Sequence, residues 1–181
     1  MTINQMRIGL FAILSLTAVA ALAENPKDFT IESPTHDTKF TLSEQEGKVI
    51  ALHFLLKTEC PYCLKYTHDY AKLAKDTPDV VHLFLKPDSV NEIKAWADKI
   101  GHDDLQDLPV IYRDPDARLA EEFDIPDGYK FHGQSVHFPA LVVLNSDGSE
   151  LFRYVSKKNS DRMKPDDFVA RLKTAIKNSS K

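Results

Sequence analysis

The chain alternates between strand-like apolar runs and helix-like apolar spacing. Residues 49–56 and 80–85 are nearly continuous apolar runs of strand length, which is typical of central strands covered on both faces. Apolar residues recur at helical spacing over residues 62–75 and 89–101, where Ser89 is placed to cap the second helix. This order of strands and helices predicts parallel strand pairing in the middle of a sheet.

Shorter elements flank this central part. The sequence predicts a hairpin at the N-terminal end, a short strand, one or two helical turns, a second hairpin and a last helix opened by Pro165, at residues 29–42, 109–112, 117–123, 140–155 and 165–176. Residues 126–136 are expected to be irregular. The predicted fold class is therefore α/β: a three-layer α/β/α sandwich with a central mixed sheet and an N-terminal β-hairpin extension.

The first 23 residues have the composition of a cleavable signal peptide. Arg7 is their only charge, residues 8–22 are largely apolar, and Ala21-Leu22-Ala23 precedes a polar segment. The apolar stretch is shorter than the roughly 20 residues that span a bilayer. We expect cleavage after Ala23, which leaves one domain over residues 24–181, periplasmic or secreted, with no stable membrane insertion.

The charge composition argues against nucleic-acid partners, and the cysteine content favours a redox site. The formal net charge of the 181 residues is −4, and no basic cluster predicts nucleic-acid binding. The only cysteines, Cys60 and Cys63, are separated by two residues and directly follow the strand-like run at 49–56. A small exported domain that uses disulfides as scaffolding usually has several distant cysteines. A close pair is thus more typical of redox chemistry, although an inert staple of little stabilising effect is the alternative.

The position of Cys60 explains how the pair would react. It lies at a strand-to-helix junction, where free backbone N–H groups and the helix dipole lower a thiol pKa. Pro61 suits the first helical turn, because its missing donor is no loss there. We expect Cys60 to attack as a thiolate and Cys63, on the same face, to resolve the mixed disulfide. This chemistry requires a sulfur within reach of solvent.

These residues resemble the thioredoxin superfamily, and specifically its exported thioredoxin-like and redoxin members. The resemblance rests on the strand from Gly47 to Phe54, on Cys60-Pro61-Tyr62-Cys63, and on residues 138–148 with their Pro-strand-Asp-Gly order. It implies a thioredoxin-like fold and a thiol–disulfide oxidoreductase whose partners are protein thiols and disulfides, with no cofactor. It also implies that Pro139 is a cis-proline facing the disulfide. Pro61, Tyr62, Phe138 and Pro139 would then border the substrate groove.

Two departures from that pattern matter, and a peroxidase pattern is not met. Glu59 stands where the family usually has tryptophan, and an ionised carboxylate there would oppose a Cys60 thiolate. His53 occupies the strand that often carries a buried carboxylate in thioredoxins, so it is either a proton shuttle or a buried histidine satisfied by the backbone. The peroxiredoxin pattern P-x-x-x-T-x-x-C fits neither cysteine, since the required positions hold His53 and Lys57, or Leu56 and Cys60.

A copper site is the alternative hypothesis. Two thiolates and one imidazole suit Cu(I), and Cys60, Cys63 and His137 would supply them. The Sco copper-delivery family is similar in having a cysteine pair and a histidine ahead of the corresponding strand, although its cysteines are separated by three residues and these by two. His137 as an ordinary loop histidine remains open. The charge-rich residues 153–167 are expected to form a solvated face.

Overall fold

The computed structural model describes residues 28–45, 47–57, 60–101 and 109–179. The predicted signal peptide, its cleavage point and Glu59 lie outside these residues. No helix in the described ranges is long and apolar enough to cross a bilayer.

Nine strands and four helices make up the described chain. The strands are β1 (Thr30–Ser33), β2 (Thr38–Thr41), β3 (Val49–Phe54), β4 (Val80–Lys86), β5 (Ile111–Arg113), β6 (Tyr129–Phe131), β7 (Gln134–Val136), β8 (Ala140–Leu144) and β9 (Glu150–Val155). The helices are α1 (Pro61–Asp76), α2 (Val90–Gly101), α3 (Arg118–Glu122) and α4 (Pro165–Ser179), with single 3₁₀ turns at Leu42–Glu44 and Pro115–Ala117.

Seven strands form one mixed sheet in the order β2-β1-β5-β4-β3-β8-β9. β3 and β5 pair parallel with β4, as the alternation of strands and helices predicted. β8 is antiparallel to β3, and β9 to β8. The N-terminal hairpin is confirmed, and its strand β1 extends the sheet by pairing antiparallel with β5.

The alternation of side chains along β3 divides the core into two clusters. Ala51 and Leu55 belong to the first cluster, which also contains both cysteines and side chains of α1, α2 and α4. Leu52 and Phe54 belong to the second, which contains side chains of α3 and the N-terminal hairpin. Because successive residues of a strand point to opposite faces, the helices lie on both sides of the sheet. The predicted three-layer α/β/α architecture is confirmed.

Local sequence signals explain some boundaries and miss one element. Ser89 caps α2 as predicted: its hydroxyl accepts the Glu92 N–H at 3.4 Å, and the Glu92 carboxylate accepts the Ser89 N–H at 2.9 Å. The prediction of an irregular segment at 126–136 is wrong, because β6 and β7 form a separate hairpin there. Their tight turn places His132 and Gly133 at positive φ, 47° and 79°.

Candidate active site

The N-terminus of α1 holds Cys60 as expected. Cys60 is the N-cap residue, with extended backbone angles, and its sulfur accepts the backbone N–H of Cys63 at 3.1 Å. Pro61 occupies the first turn. β3 ends at Phe54, and the chain reaches the start of α1 at Cys60, where the free N–H groups of the first helical turn are available to its sulfur.

Both sulfurs are reduced and covered, which differs from the solvent-reachable pair that we expected. Cys60 is 1% exposed and Cys63 is 0% exposed. The cover is the segment of residues 156–164 between β9 and α4, called here the cover loop. The Cys60 thiol donates to Asn159 Oδ1 at 3.0 Å. Arg162 Nη2 donates to Asn159 Oδ1 at 2.9 Å and lies 3.6 Å from the Cys63 sulfur.

Several bonds hold the cover loop in place. Tyr70 of α1 donates its hydroxyl to the Met163 carbonyl at 3.1 Å. The Asp161 carboxylate accepts the Lys157 N–H at 2.7 Å and a hydroxyl hydrogen bond from Tyr154. Arg162 Nη1 also donates to the Asp161 carbonyl at 3.1 Å. The prediction that this stretch is simply a solvated face is therefore wrong for Asn159 and Arg162, whose side chains contact the sulfurs.

Electrostatics place the negative charge of the pair on Cys63. Burial opposes a Cys63 thiolate, but a hydrogen bond from Cys60 and the cations Lys86 and Arg162 outweigh it and lower the pKa of Cys63 to about 6. The hydrogen bond to Cys63, then burial and the charge of Cys63, raise the pKa of Cys60 far above its usual value. Near neutral pH the reduced pair thus shares one proton, held by Cys60. These contacts favour a protonated Cys60 in the covered state, and its expected role as the attacking thiolate stays a prediction.

Asn159 is a second acceptor for the single hydrogen of Cys60, which at any one time is donated either to Asn159 or to the Cys63 sulfur. Arg162 donates to the Asn159 side-chain oxygen, which fixes that oxygen as the atom facing Cys60. An amide oxygen can only accept, so Cys60 must supply the hydrogen. The helix N–H still favours a Cys60 thiolate, but in the covered state this contribution is the weaker one.

Lys86 is a buried cation beside the pair that the sequence analysis did not identify. Its side chain is 0% exposed, its ammonium donates to the Leu56 carbonyl at 2.6 Å, and it lies 4.3 Å from the centre of the Trp96 ring. Asp88 forms an ion pair with it at 3.6 Å. Burial lowers the pKa of Lys86, while Cys63, Asp88 and Cys60 oppose that shift. The sequence feature that could have identified Lys86 is its position at the end of an apolar strand-like run.

His53 lies in a buried side-chain network, so satisfaction by the backbone is not what the structure shows. Its Nδ1 is 2.8 Å from the Tyr66 hydroxyl oxygen, and its Nε2 is 3.0 Å from His82 Nδ1. Burial, and secondarily the charge of His82, lowers the pKa of His53 well below its usual value. Burial also lowers the pKa of His82 to about 4. Both imidazoles are neutral near pH 7.

Pro139 lies at the sheet edge that carries the cysteines, because Ala140 pairs with Phe54 at the end of β3. The Phe138–Pro139 peptide bond is trans, so the prediction of a cis-proline is wrong for this structure. Bonds on both sides hold the segment extended: Phe138 N–H donates to the Pro126 carbonyl at 2.7 Å, and Ser156 N–H to the Pro139 carbonyl at 2.8 Å. The Phe138 ring packs on Tyr129, with centroids 5.3 Å apart.

His137 does not join the cysteines. It is buried, donates from Nδ1 to the Phe138 carbonyl at 2.8 Å, and packs edge-on against Phe54, whose side chain lies in the second core cluster. The cysteines lie in the first cluster. Among the residues that the structure describes, no group of three or more His, Cys, Asp and Glu side chains is arranged to hold a metal ion. The predicted copper ligand set is therefore not assembled.

A mixed sheet between helices, with a Cys-x-x-Cys pair at the start of α1, defines a thioredoxin-like redoxin domain. The AhpC/TSA family profile matches residues 23–149, and the chain belongs to that family. No protein among the curated sequences matches it significantly.

Solved structures confirm the fold. A secreted Mycobacterium tuberculosis disulfide oxidoreductase homologous to E. coli DsbE is 18% identical and superposes with a TM-score of 0.59, over 81% of this chain and 95% of its own. The exposed lipoprotein thioredoxin of Streptococcus pneumoniae is 20% identical, with a TM-score of 0.62 over 81% and 98% of the two chains. Enterococcus faecalis AhpC is 16% identical, with a TM-score of 0.70 over 87% and 93%. At these identities the similarity shows the fold alone.

Proposed function

We propose that the chain is an exported thiol–disulfide oxidoreductase whose redox couple is Cys60 and Cys63 and whose substrates are cysteines of other proteins. The observation that carries this proposal is the pair itself. One sulfur is bonded by a helix N–H at 3.1 Å, and the other has a pKa of about 6 beside Arg162 and Lys86. A dithiol that already carries one negative charge near neutral pH is suited to disulfide exchange.

The exchange balances without a cofactor. The reduced pair brings two sulfurs, one proton and one negative charge. Attack by one sulfur on a partner disulfide forms a mixed disulfide and releases one partner sulfur, and attack by the other forms the Cys60–Cys63 disulfide and releases the second. The proton leaves with one of the partner sulfurs. We assign the mixed disulfide to Cys60, at the helix N-terminus. For Cys60 to attack as a thiolate, its proton passes to Cys63 and then to the released partner sulfur, and the Cys63 thiolate resolves the mixed disulfide.

Disulfide exchange at Cys60 requires a movement in the cover loop. Since Cys60 is 1% exposed, Asn159 must move before a partner sulfur reaches it. Moving the Asn159 side chain breaks its hydrogen bonds to Cys60 and Arg162, each of which contributes about 1 kcal/mol, while the other bonds of the cover loop can stay in place. Such opening is small compared with unfolding.

Export is the second part of the proposal. It rests on the signal-like sequence of residues 1–23 and on neighbours of the same fold that are described as secreted or exposed. The mature domain would then act in the periplasm or outside the cell, where disulfides persist. Expression with the native N-terminus in a bacterial host, followed by mass spectrometry, should find a chain that begins at Glu24.

Three variants test the chemistry. Cys60→Ser should abolish reduction of insulin, Cys63→Ser should accumulate a mixed disulfide detectable by mass, and His137→Ala should retain activity. If the purified protein exchanges no disulfide in either direction, the proposal is wrong. If it consumes hydrogen peroxide much faster than it exchanges disulfides, the same pair is instead a peroxidase couple.

A further inference from the structure

An open groove of about 620 Å³ lies beside the cysteine pair, between α1 and the segment that runs from the cover loop into α4. We call it the α1–α4 groove. Tyr66 and Met163 are buried lining residues that form its apolar base, and Tyr62, 49% exposed, lines it and directly precedes Cys63 in the chain. Tyr62, Tyr66 and Asp69 recur at helical spacing, so one face of α1 forms a whole wall.

The groove is positively charged although the chain as a whole is not. Its lining includes four basic side chains, Lys65, Lys72, Arg162 and Lys164, and two acidic ones, Asp69 and Asp166. Only Lys65 among the four is bonded to an acidic lining residue, Asp69, at 2.6 Å. The formal net charge of the chain is −4. A local excess of positive charge next to a reaction centre attracts ligands of the opposite charge.

Arg162 connects the groove to the sulfurs. The same side chain lines the groove, lies 3.6 Å from the Cys63 sulfur and bonds Asn159, which covers Cys60. Its Nε is buried and has no hydrogen-bond partner among the described residues. A carboxylate would be a stronger acceptor for this guanidinium than the neutral amide oxygen of Asn159. Any anion that enters the groove therefore competes directly with the contacts that hold the cover closed.

We propose that the α1–α4 groove docks an acidic segment of the partner protein, next to the partner's reactive cysteine, and that this docking draws Arg162 away from Asn159 and uncovers Cys60. This inference rests on the proposed function and adds the chemistry of the partner to it. The apolar base of the groove receives the chain of the segment, and the basic rim selects its charge.

Two peptides of equal length test the selection by charge. Each contains one cysteine as a 4-thiopyridyl mixed disulfide, flanked by glutamates in one and by lysines in the other. Reaction with the reduced protein forms the Cys60–Cys63 disulfide and releases the peptide thiol and thiopyridone, whose absorbance is followed. At low ionic strength the acidic peptide should react about tenfold faster. At about 1 M salt, where the screening length is about 3 Å, the difference should nearly vanish.

Charge-reversal variants test whether the preference for the acidic peptide depends on the α1–α4 groove. Lys72→Glu/Lys164→Glu changes two exposed lining residues and should remove the preference for the acidic peptide. The matched control, Lys173→Glu/Lys177→Glu, changes two exposed lysines of α4 outside the groove by the same total charge and should retain it. Equal rates for the two peptides with the native protein, or a preference that survives Lys72→Glu/Lys164→Glu, would overturn the proposal.

A binding measurement distinguishes docking of the peptide from disulfide exchange. In Cys60→Ser/Cys63→Ser, fluorescently labelled peptides without cysteine should bind with at least about fivefold preference for the acidic one. If that preference appears but no peptide disulfide is exchanged by the native protein, docking stands and the proposed function fails. If exchange is fast but neither binding nor rate depends on peptide charge, the proposed function stands and docking fails.

Discussion

Replacing Arg162 by glutamine should make the protein a stronger reductant. The Arg162 guanidinium lies 3.6 Å from the Cys63 sulfur and is partly buried. A hydrogen bond to a charged group contributes about 2 kcal/mol, and 1.36 kcal/mol corresponds to one pKa unit. Loss of the guanidinium should therefore raise the pKa of Cys63, now about 6, by about 1.5.

The reduction potential follows from this pKa. At about pH 7, ionisation of a thiol of pKa about 6 favours the reduced form roughly elevenfold, and ionisation of one of pKa about 7.5 only about 1.3-fold. This eightfold loss should lower the reduction potential by about 25 mV, since tenfold corresponds to about 30 mV. Equilibration with glutathione gives the potential, and the ultraviolet absorbance of the thiolate across pH gives the pKa.

Two further variants sharpen this measurement. Arg162→Lys keeps the positive charge but not the planar guanidinium. It should shift the pKa of Cys63 and the reduction potential by less than half as much as Arg162→Gln does. Arg171→Gln removes a guanidinium of α4 that stacks on Phe152 of β9, and it should shift neither the pKa of Cys63 nor the potential. If Arg162→Gln changes neither the pKa nor the potential, then Arg162 does not stabilise the thiolate, and the electrostatic account of the pair is wrong.

Three other predictions concern the surroundings of the site. Lys86→Met should raise the pKa of Cys63 and, because it breaks a fully buried ion pair, lower the free energy of unfolding by about 3 kcal/mol in urea titrations. Ser89→Ala should lower the free energy of unfolding by about 1 kcal/mol, because the N-cap of α2 is lost, and should leave the reduction potential unchanged. His53 and His82 are buried neutral, so the unfolded chain binds more protons below their ordinary pKa of 6.5. Stability of Cys60→Ser/Cys63→Ser should fall as the pH drops from 6.5 toward 4, and a flat profile would contradict this assignment.

The parts of the fold that the sequence predicts are those set by local patterns. The apolar run of β3, the Ser89 cap and the place of Cys60 at the start of α1 each depend on residues within one or two turns of chain. The β6–β7 hairpin was missed because three-residue strands are too short to show an alternating pattern.

The errors at the site came from contacts distant in sequence. Asn159 and Arg162 meet the cysteines across 99 residues, and nothing in their own neighbourhood distinguishes them from other polar residues of a charged loop. The sequence places His137 just ahead of β8, but it does not show on which face of the sheet the side chain lies. The side chain of His137 packs on Phe54, on the face opposite the cysteines.

The separation between the cysteines and their cover has a consequence for biosynthesis. The sulfurs are at positions 60 and 63 of 181, whereas the residues that shield them are made about a hundred positions later. While the protein emerges from a ribosome or a translocation pore, both thiols precede their shield and stay open to oxidants and to other nascent chains. Truncation after Val155, which removes the cover loop, should consequently yield a protein that forms mixed disulfides indiscriminately, and the order of synthesis makes the cover loop the element that completes control over the reactive pair.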